Sequence, residues 1–271
     1  MLRAKKSFGQ NFLVDERVVE RIIEEVAARA DETIIEIGPG HGALTARLLE
    51  TAGRLLAVEF DRDLIPLLRR KFGAQQNLAL IEGDALAIEL CGLIEPGGRT
   101  RIVANLPYYI STAILQRLIE QRSCLTEMVL MLQREVVDRI TAPPGTSERG
   151  FLSVLVQAYC EPEILFDVSP AAFQPVPKVW STVVRLRVRP APAVTAADGA
   201  LFRQLVSAGF AQRRKTILNN LRSAPADLRL MIEAAGGTGR LLGDAGIEPG
   251  RRAETLTLEE WAGLTQLLDN T

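Results

Sequence analysis

The chain has 271 residues, enough to bury a substantial core, and its length suits one large domain with one small one. A single histidine, His41, leaves no material for a histidine triad or a zinc cluster, so metal-free chemistry is expected. Three cysteines without paired spacing (Cys91, Cys124, Cys160) read as reduced thiols of a cytoplasmic protein. The basic start, Arg3, Lys5 and Lys6, leads into polar residues, so no secretory signal or membrane span is expected.

In chain order, Val18, Val19, Ile22, Ile23 and Val26 fall at helical spacing, giving an amphipathic helix ahead of the first strand. Thr33-Ile34-Ile35-Glu36-Ile37 reads as a buried parallel strand, followed by Gly38-Pro39-Gly40-His41-Gly42 and a helical run from Ala43 to Leu49. Glycines there permit a sharp turn and close approach of a ligand to the backbone. The G-x-G-x-G spacing differs from the dinucleotide fingerprint and no Walker lysine follows, so a nucleoside without phosphates fits better than a phosphate cradle.

The strand Leu55 to Val58 ends in Glu59, about 20 residues beyond the glycines, where doubly wound folds place the acceptor for ribose hydroxyls. A third strand, Leu78 to Ile81, precedes Gly83-Asp84-Ala85, and Asp84 could accept from an adenine amino group. Either carboxylate could instead be a solvated helix cap. The run Ile102-Val103-Ala104 then closes on Asn105-Leu106-Pro107-Tyr108. An Asn oxygen and a carbonyl beside the proline can both accept from one exocyclic NH2 while a Tyr ring stacks on the base. Asn-x-Pro is also an ordinary turn signal. In open α/β sheets ligands bind beyond the carboxyl ends of strands, so Gly38, Glu59, Asp84 and Asn105 are expected to converge on one crevice.

Alternation of helix and strand patterns through Leu130 predicts a mostly parallel sheet covered by helices on both faces. Later strands are expected at Val154 to Tyr159 and Ser181 to Val188, the second alternating apolar residues with Arg185 and Arg187, followed by Arg189, as a half-exposed edge would. Pro190-Ala191-Pro192-Ala193 reads as a stiff linker, and Leu201 to Phe210, Thr216 to Leu221 and Leu258 to Leu268 as helices of a small helical domain.

The net charge of −1 hides an asymmetry. From Lys178 to Arg252 there are thirteen Lys or Arg against five Asp or Glu, an excess of eight, so the rest of the chain is acidic by nine. This separation points to a polyanionic partner, although a basic run is also an ordinary solvated face. Arg213-Arg214-Lys215, close to Asn219, Asn220 and Arg222, is the best local candidate for phosphate contact.

Ordered motifs spread over nearly the whole chain carry a resemblance: Lys6-Ser7-Phe8-Gly9-Gln10-Asn11-Phe12-Leu13, Glu36-Ile37-Gly38-Pro39-Gly40, Glu59-Phe60-Asp61-Arg62-Asp63-Leu64, Asn105-Leu106-Pro107-Tyr108, Met131-Leu132-Gln133-Arg134-Glu135-Val136, Phe173-Gln174-Pro175-Val176-Pro177-Lys178-Val179 and Gln212-Arg213-Arg214-Lys215-Thr216. With these the sequence resembles the ribosomal-RNA adenine dimethyltransferases of the KsgA type. The resemblance implies a Rossmann-like class I methyltransferase domain over residues 1–190, with an amino-terminal segment covering the cofactor, and a helical, basic RNA-recognition domain over 191–271.

It further implies S-adenosylmethionine as cofactor, held by Asn11, Leu13, Gly38, Glu59, Asp84 and Asn105. Asn105, Leu106, Pro107 and Tyr108 would hold the target adenine, with Phe173 facing Tyr108 across it; a lone Phe between prolines is otherwise more often core filler. Arg213, Arg214, Lys215 and Arg222 would bind RNA. The implied reaction is N6 dimethylation of two adjacent adenosines in a hairpin near the 3′ end of small-subunit rRNA, within an assembling small ribosomal subunit, by a monomeric cytoplasmic enzyme. A relative acting on large-subunit rRNA, or a binding protein that kept the fold without catalysis, are the competing functions; Leu106, where large-subunit enzymes more often carry Ile, and the intact pocket residues favour the first. The sequence departs from the family at Tyr109, where Asn is usual, at Trp180, where an acidic residue is common, and at Arg149-Gly150-Phe151, where Tyr-Gly-Arg is usual. These departures concern contacts around the target and leave the cofactor site intact.

Overall fold

The computed structural model describes residues 10–94, 99–192 and 199–270. Lys6 to Gly9 of the amino-terminal motif, the basic start and Ala193 of the expected linker lie outside the described residues.

The first described elements are the short strand β1 (Phe12–Leu13) and helix α1 (Glu16–Val26). Asp15 caps α1 by accepting the Arg17 N–H at 3.0 Å, satisfying one donor that the first helical turn leaves open. The helix buries Val19, Ile22 and Val26, the stripe expected from the sequence. Strand and helix then alternate as β2 (Thr33–Ile37), α2 (Ala43–Thr51), β3 (Arg54–Glu59), α3 (Ile65–Phe72), β4 (Leu78–Glu82), β5 (Thr100–Asn105), α4 (Ser111–Glu120), β6 (Glu127–Gln133) and α5 (Arg134–Thr141). Strands β2 to β6 are parallel; the Ile, Leu and Val residues of β2, β3, β5 and β6 are buried because the sheet is covered, while those of the edge strand β4 are partly buried.

After α5 come α6 (Phe151–Tyr159), β7 (Cys160–Val168), β8 (Phe173–Gln174) and β9 (Ser181–Val188). The main sheet has the order β4-β3-β2-β5-β6-β9-β7, with β9 antiparallel to β6, and β1 pairs with β8 in a separate two-stranded ladder. The order reverses between β2 and β5, the place where open α/β sheets form a ligand crevice.

Two expectations about strands are corrected. Val154 to Tyr159 is helical: α6 is buried on nearly every side, so it lacks the polar stripe that would show a helical period, and a short apolar run does not distinguish a buried helix from a strand. Ser181–Val188 is a strand, but an interior one. The strand outside it, β7, carries Glu161, Pro162 and Glu163, and proline suits an edge that needs no ladder donor. The arginines of β9 are accordingly paired: Arg185 with Glu25 (2.9 Å), Glu163 (3.1 Å) and Glu127 (3.5 Å), and Arg187 with Glu163 (2.8 Å).

The cysteine expectation is also corrected, since Cys91 and Cys124 form a disulfide, while Cys160 is buried outside it. The two lie 33 residues apart, so spacing conceals the pairing. Gln121 brings their turns together, its Oε1 accepting the Leu90 N–H at 2.6 Å and its Nε2 donating to the Ile88 carbonyl at 3.0 Å.

The chain divides into two compact units, one formed by residues up to Val137 with Pro162–Val188, the other by Asp138–Glu161 with the chain from Arg189 onward. The expected single break at residue 190 is thus replaced by an exchange of segments, because α6 packs with the carboxyl-terminal helices. These are α7 (Gly199–Gly209), α8 (Ile217–Arg222), α9 (Ala226–Ala234), α10 (Thr238–Asp244) and α11 (Leu258–Asp269). Tyr159 of α6 meets Phe202 of α7 edge to face, with centroids 6.1 Å apart, and Trp261 of α11 is buried against Phe210 at 5.8 Å. Arg149 is buried in this unit, its Nη1 donating to the Ala142 carbonyl and to Gln157 Oε1, each at 2.8 Å. No helix among the described residues is long and apolar enough to cross a membrane.

Candidate active site

Parallel register alone brings the expected residues level. Ile37 is opposite Val58 on one side and Ala104 on the other, so Gly38, Glu59 and Asn105 sit at the same height at the carboxyl edge of the sheet. Backbone bonds lock the tips: Gly38 N–H donates to the Val58 carbonyl (2.9 Å), Gly83 to Glu59 (3.0 Å) and Leu106 to Met131 (3.2 Å). Two adjoining hollows make up the crevice, with Gly38, Glu59 and Pro107 lining both halves. The first half adds Asn11, Asn105, Leu106 and Tyr108, and the second adds Asp84. Leu13 and Asn105 border a smaller recess beside Gly40.

The glycine turn is dictated by shape. Gly38 and Gly40 have φ of +69° and +59°, the left-handed region that side chains disfavour, and a Cβ on Gly40 would lie 3.1 Å from the Phe12 ring. The Phe12 ring in turn lies 4.1 Å, centroid to centroid, from His41.

Glu59 is buried to 5% exposure, and each of its oxygens is used once: Oε1 accepts the Asp61 N–H at 2.8 Å and Oε2 accepts Gly40 at 3.1 Å. A carboxylate offers about four lone-pair sites, so two acceptors remain, matching a vicinal diol. Burial pushes the Glu59 carboxyl above its ordinary range, while the N–H bonds of Asp61 and Gly40 pull it back. Asp84 shows that the cap and ligand readings are compatible, since Oδ1 accepts the Leu86 N–H at 2.9 Å while the residue lines the crevice.

Asn105 donates from Nδ2 to the Asn11 carbonyl at 3.2 Å, which orients the amide and leaves Oδ1 as an acceptor. The Pro107 carbonyl accepts the Ile110 N–H at 3.2 Å and the Tyr108 carbonyl accepts the Ser111 hydroxyl at 3.1 Å. No donor among the described residues reaches the Leu106 carbonyl, so of the two expected backbone acceptors it is the one left open. The Tyr108 hydroxyl lies 2.7 Å from Ser181 Oγ, and burial raises the phenol above its usual value, keeping it protonated.

Phe173 is not brought to the crevice. It is 2% exposed, stands opposite Leu13 in the β1–β8 ladder and packs in the core with Val129, Met131 and Val183. The expected sandwich with Tyr108 is therefore corrected to the core-filling alternative: the β1–β8 pairing turns the ring inward, where it fastens the amino-terminal segment.

The sequence reading missed Gln10, whose Nε2 donates to Asp61 Oδ2 at 3.0 Å, and the apolar walls Phe60, Leu86, Ile110 and Ile114. Phe60 (55% exposed) and Leu86 (37%) each directly follow a strand-end acidic loop, and that placement of apolar residues was the available signal.

In the helical unit, Arg213, Arg214 and Lys215 are exposed in the turn between α7 and α8, and Arg222 ends α8. Arg213 is engaged through a hydrogen bond to the Ser147 carbonyl, whereas Arg214, Lys215 and Arg222 have no ion-pair partner among the described residues. Asn220 does not join them. It is buried and holds the turn, donating to the carbonyls of Gly209 and, at 3.2 Å, Gln212. Five of the thirteen cations counted above, Arg185, Arg187, Arg189, Arg251 and Arg252, find carboxylates outside the counted window, so the local excess is smaller than composition implies.

Comparison with known proteins gives the family. The profile of the family described as ribosomal RNA adenine dimethylase matches residues 1–262. A protein of Geobacter metallireducens named ribosomal RNA small subunit methyltransferase A is 43% identical over 273 residues, covering 98% of this chain and 96% of the relative. One of the same name from Pseudomonas aeruginosa is 47% identical over 220 residues, covering 81% and 82%. Among solved structures, a dimethyladenosine transferase from Plasmodium falciparum superposes with a TM-score of 0.79 at 23% identity, covering 93% of this chain and 95% of that one, a likeness of fold. The 23S rRNA methyltransferase ErmE gives 0.68 at 29% identity, covering 96% and 100%.

Proposed function

This chain belongs to the ribosomal RNA adenine dimethylase family, and from that premise we propose that it is an S-adenosylmethionine-dependent enzyme that dimethylates N6 of adenosines in small-subunit rRNA. The observation that carries the reading is the convergence of Gly38, Glu59, Asp84 and Asn105 on one crevice, with open acceptors at Asn105 Oδ1 and the Leu106 carbonyl.

The residues present fit the cofactor. Glu59 retains two lone pairs for ribose hydroxyls, Asp84 keeps one carboxylate oxygen for an exocyclic amine, and Phe60, Leu86 and Ile114 supply apolar walls for a base. The positive φ of Gly38 and Gly40 keeps side chains out of the turn, and Asn11 and Leu13 close the amino-terminal side. S-adenosylmethionine, when bound, supplies an electrophilic methyl group and needs no activating base.

The protein's task is at the acceptor. An adenine amino nitrogen is a poor nucleophile because its lone pair is delocalised into the ring. Asn105 Oδ1 and the Leu106 carbonyl accept its two N–H bonds and favour a pyramidal nitrogen, freeing the lone pair. As the new C–N bond forms and the donor's methyl–sulfur bond would break, positive charge grows on that nitrogen beside acceptors that are already oriented, so stabilisation is greater in the transition state than before it; one N–H proton is then released to solvent in each of the two transfers. Pro107 holds the turn that presents the Leu106 carbonyl, and Tyr108 offers a ring face to the base. A base held this way must leave any helical stack, which favours an unpaired target.

Two adjacent adenosines in a hairpin near the 3′ end of the small-subunit rRNA are the proposed target, met in an assembling subunit by a monomeric cytoplasmic enzyme. The sheet unit carries catalysis, and Arg214, Lys215 and Arg222, with Arg213 positioned beside them, contact RNA phosphates from the helical unit. The test is methyl transfer from labelled cofactor to unmethylated small and large subunits. Label confined to dimethyladenosine in small-subunit rRNA supports the assignment, label in large-subunit rRNA moves the chain to the activity named for ErmE, and no label rejects catalysis.

A further inference from the structure

We propose that Trp180 is a base-stacking residue that holds the nucleotide next to the adenosine seated against Asn105 and Tyr108. The inference rests on the reading of that crevice as an RNA adenosine site and adds a substrate contact to it.

The chain has two tryptophans, and they are treated differently. Trp261 is fully buried in the helical unit, while Trp180 is 48% exposed. A large ring left in water loses the burial that normally stabilises it, unless a partner covers it. Its neighbours Val176 (66%) and Val179 (41%) are exposed too, so the loop between β8 and β9 presents an apolar rim. Lys178 and Arg134 are exposed beside it, and Arg134 has one carboxylate, Asp167, at 3.6 Å. Aromatic faces interleaved with cations are what single-stranded nucleic acid uses, and the strand's own charge disfavours an acidic surface and favours this one.

The chain is held on the carboxyl side of Trp180. Its carbonyl accepts the Arg134 N–H at 3.0 Å, and the next residue, Ser181, is hydrogen-bonded to the Tyr108 hydroxyl at 2.7 Å. The exposed indole therefore stands one residue from the group that touches the shelf for the target base. A flanking nucleotide is covalently tied to that base and must cross this rim when the base is seated. A ring held by its backbone and bare on its face gives that nucleotide a stacking partner with little ordering cost. An apolar rim could also receive a protein loop, and stacking and simple apolar contact differ in whether an aliphatic side chain can substitute.

The experiment uses the full chain, unmethylated small ribosomal subunits and labelled S-adenosylmethionine. Trp180→Ala should raise KM for the subunit roughly tenfold, the lower part of the range for loss of one base stack, and leave kcat within about twofold. Trp180→Phe should recover KM to within about threefold and Trp180→Leu should not. A single-stranded oligoribonucleotide containing two adjacent adenosines should quench the emission of the exposed tryptophan, and the quench should vanish in Trp180→Phe because Trp261 is buried. An unchanged KM in Trp180→Ala, full recovery by Leu, or a quench that persists in Trp180→Phe would each overturn the stacking role while wild-type labelling of the subunit leaves the adenosine site standing. Failure of the wild-type chain to label the subunit removes both.

Discussion

The crevice of the sheet unit and the basic turn of the helical unit solve recognition in opposite ways. In the crevice each polar side chain is tied to the backbone and keeps acceptor capacity spare: Glu59 to Gly40 and Asp61, Asp84 to Leu86, Asn105 to Asn11. Around α8 the cations Arg214, Lys215 and Arg222 are exposed and have no ion pair among the described residues. A nucleoside of defined shape is read by acceptors whose direction is already set, and a phosphate backbone by charges that act through long-range attraction. Loss of a crevice acceptor should thus act on one step and strongly, and loss of a basic residue weakly, additively and in a salt-dependent way.

The largest break in that contrast is expected from Asn105→Ala. It removes one of two open acceptors for the reacting amine, and loss of such a preorganised group costs about 10²- to 10³-fold in rate. Single-turnover transfer should show that drop, with cofactor affinity, measured calorimetrically, falling far less. Transfer at the wild-type rate would strip Asn105 of the acceptor role. Glu59→Gln comes next, because exchanging a charged acceptor for a neutral amide loses about 1.5–3 kcal/mol of hydrogen bonding, or roughly 10- to 150-fold in cofactor affinity. Its pH behaviour has a definite sign. Burial raises the Glu59 carboxyl, so as pH falls the wild type should lose affinity at a higher pH than an ordinary glutamate would dictate, and the Gln variant should show no such fall.

The same contrast explains what could be read beforehand. Gly38, Glu59, Asp84 and Asn105 were legible because parallel strands in a doubly wound sheet deliver their carboxyl ends to one edge, whatever the intervening residues. Phe173 was not, since a single Phe says nothing about which way a two-residue strand turns it, and the pairing with Leu13 across a long separation decided the matter. Helix α6 and the Cys91–Cys124 pair failed for kindred reasons: a helix buried all round erases its own period, and a cross-link is set by where two turns meet. The charge count misled in part because partners such as Glu163 and Glu260 lie outside the stretch from Lys178 to Arg252 that was counted.

Single substitutions Arg214→Gln and Lys215→Gln should each raise KM for the subunit by a few fold, leave kcat alone and reduce the logarithmic salt slope of binding by about one. An effect on kcat, or none on the salt slope, would dissolve the distinction between the two regions. Arg213→Gln is expected to differ, because Arg213 also holds the Ser147 carbonyl and its loss should loosen the turn as well.

The smallest effect concerns stability, and it exposes what the crevice costs the fold. Glu36 lies at the end of β2 beneath the glycine turn, 2% exposed, accepting the Thr45 hydroxyl at 2.7 Å. Burial pushes its carboxyl up to about 7, with the Thr45 bond opposing and the nearby Glu59 adding to the rise. Unfolded, the same group ionises near its ordinary value of 4.5, so between there and about 7 the folded chain holds a proton that the unfolded chain has released. Stability contributed by this site is therefore undiminished at lower pH, declines as pH rises through that window and stays reduced above it. Glu36→Gln keeps an acceptor for Thr45 and has nothing to ionise. Its melting temperature, compared with that of the wild type, should gain by a few degrees at pH 8 and by much less at pH 5. An equal gain at both values would mean that Glu36 imposes no ionisation cost and that the polar floor of the crevice is as undemanding as the surface of the helical unit.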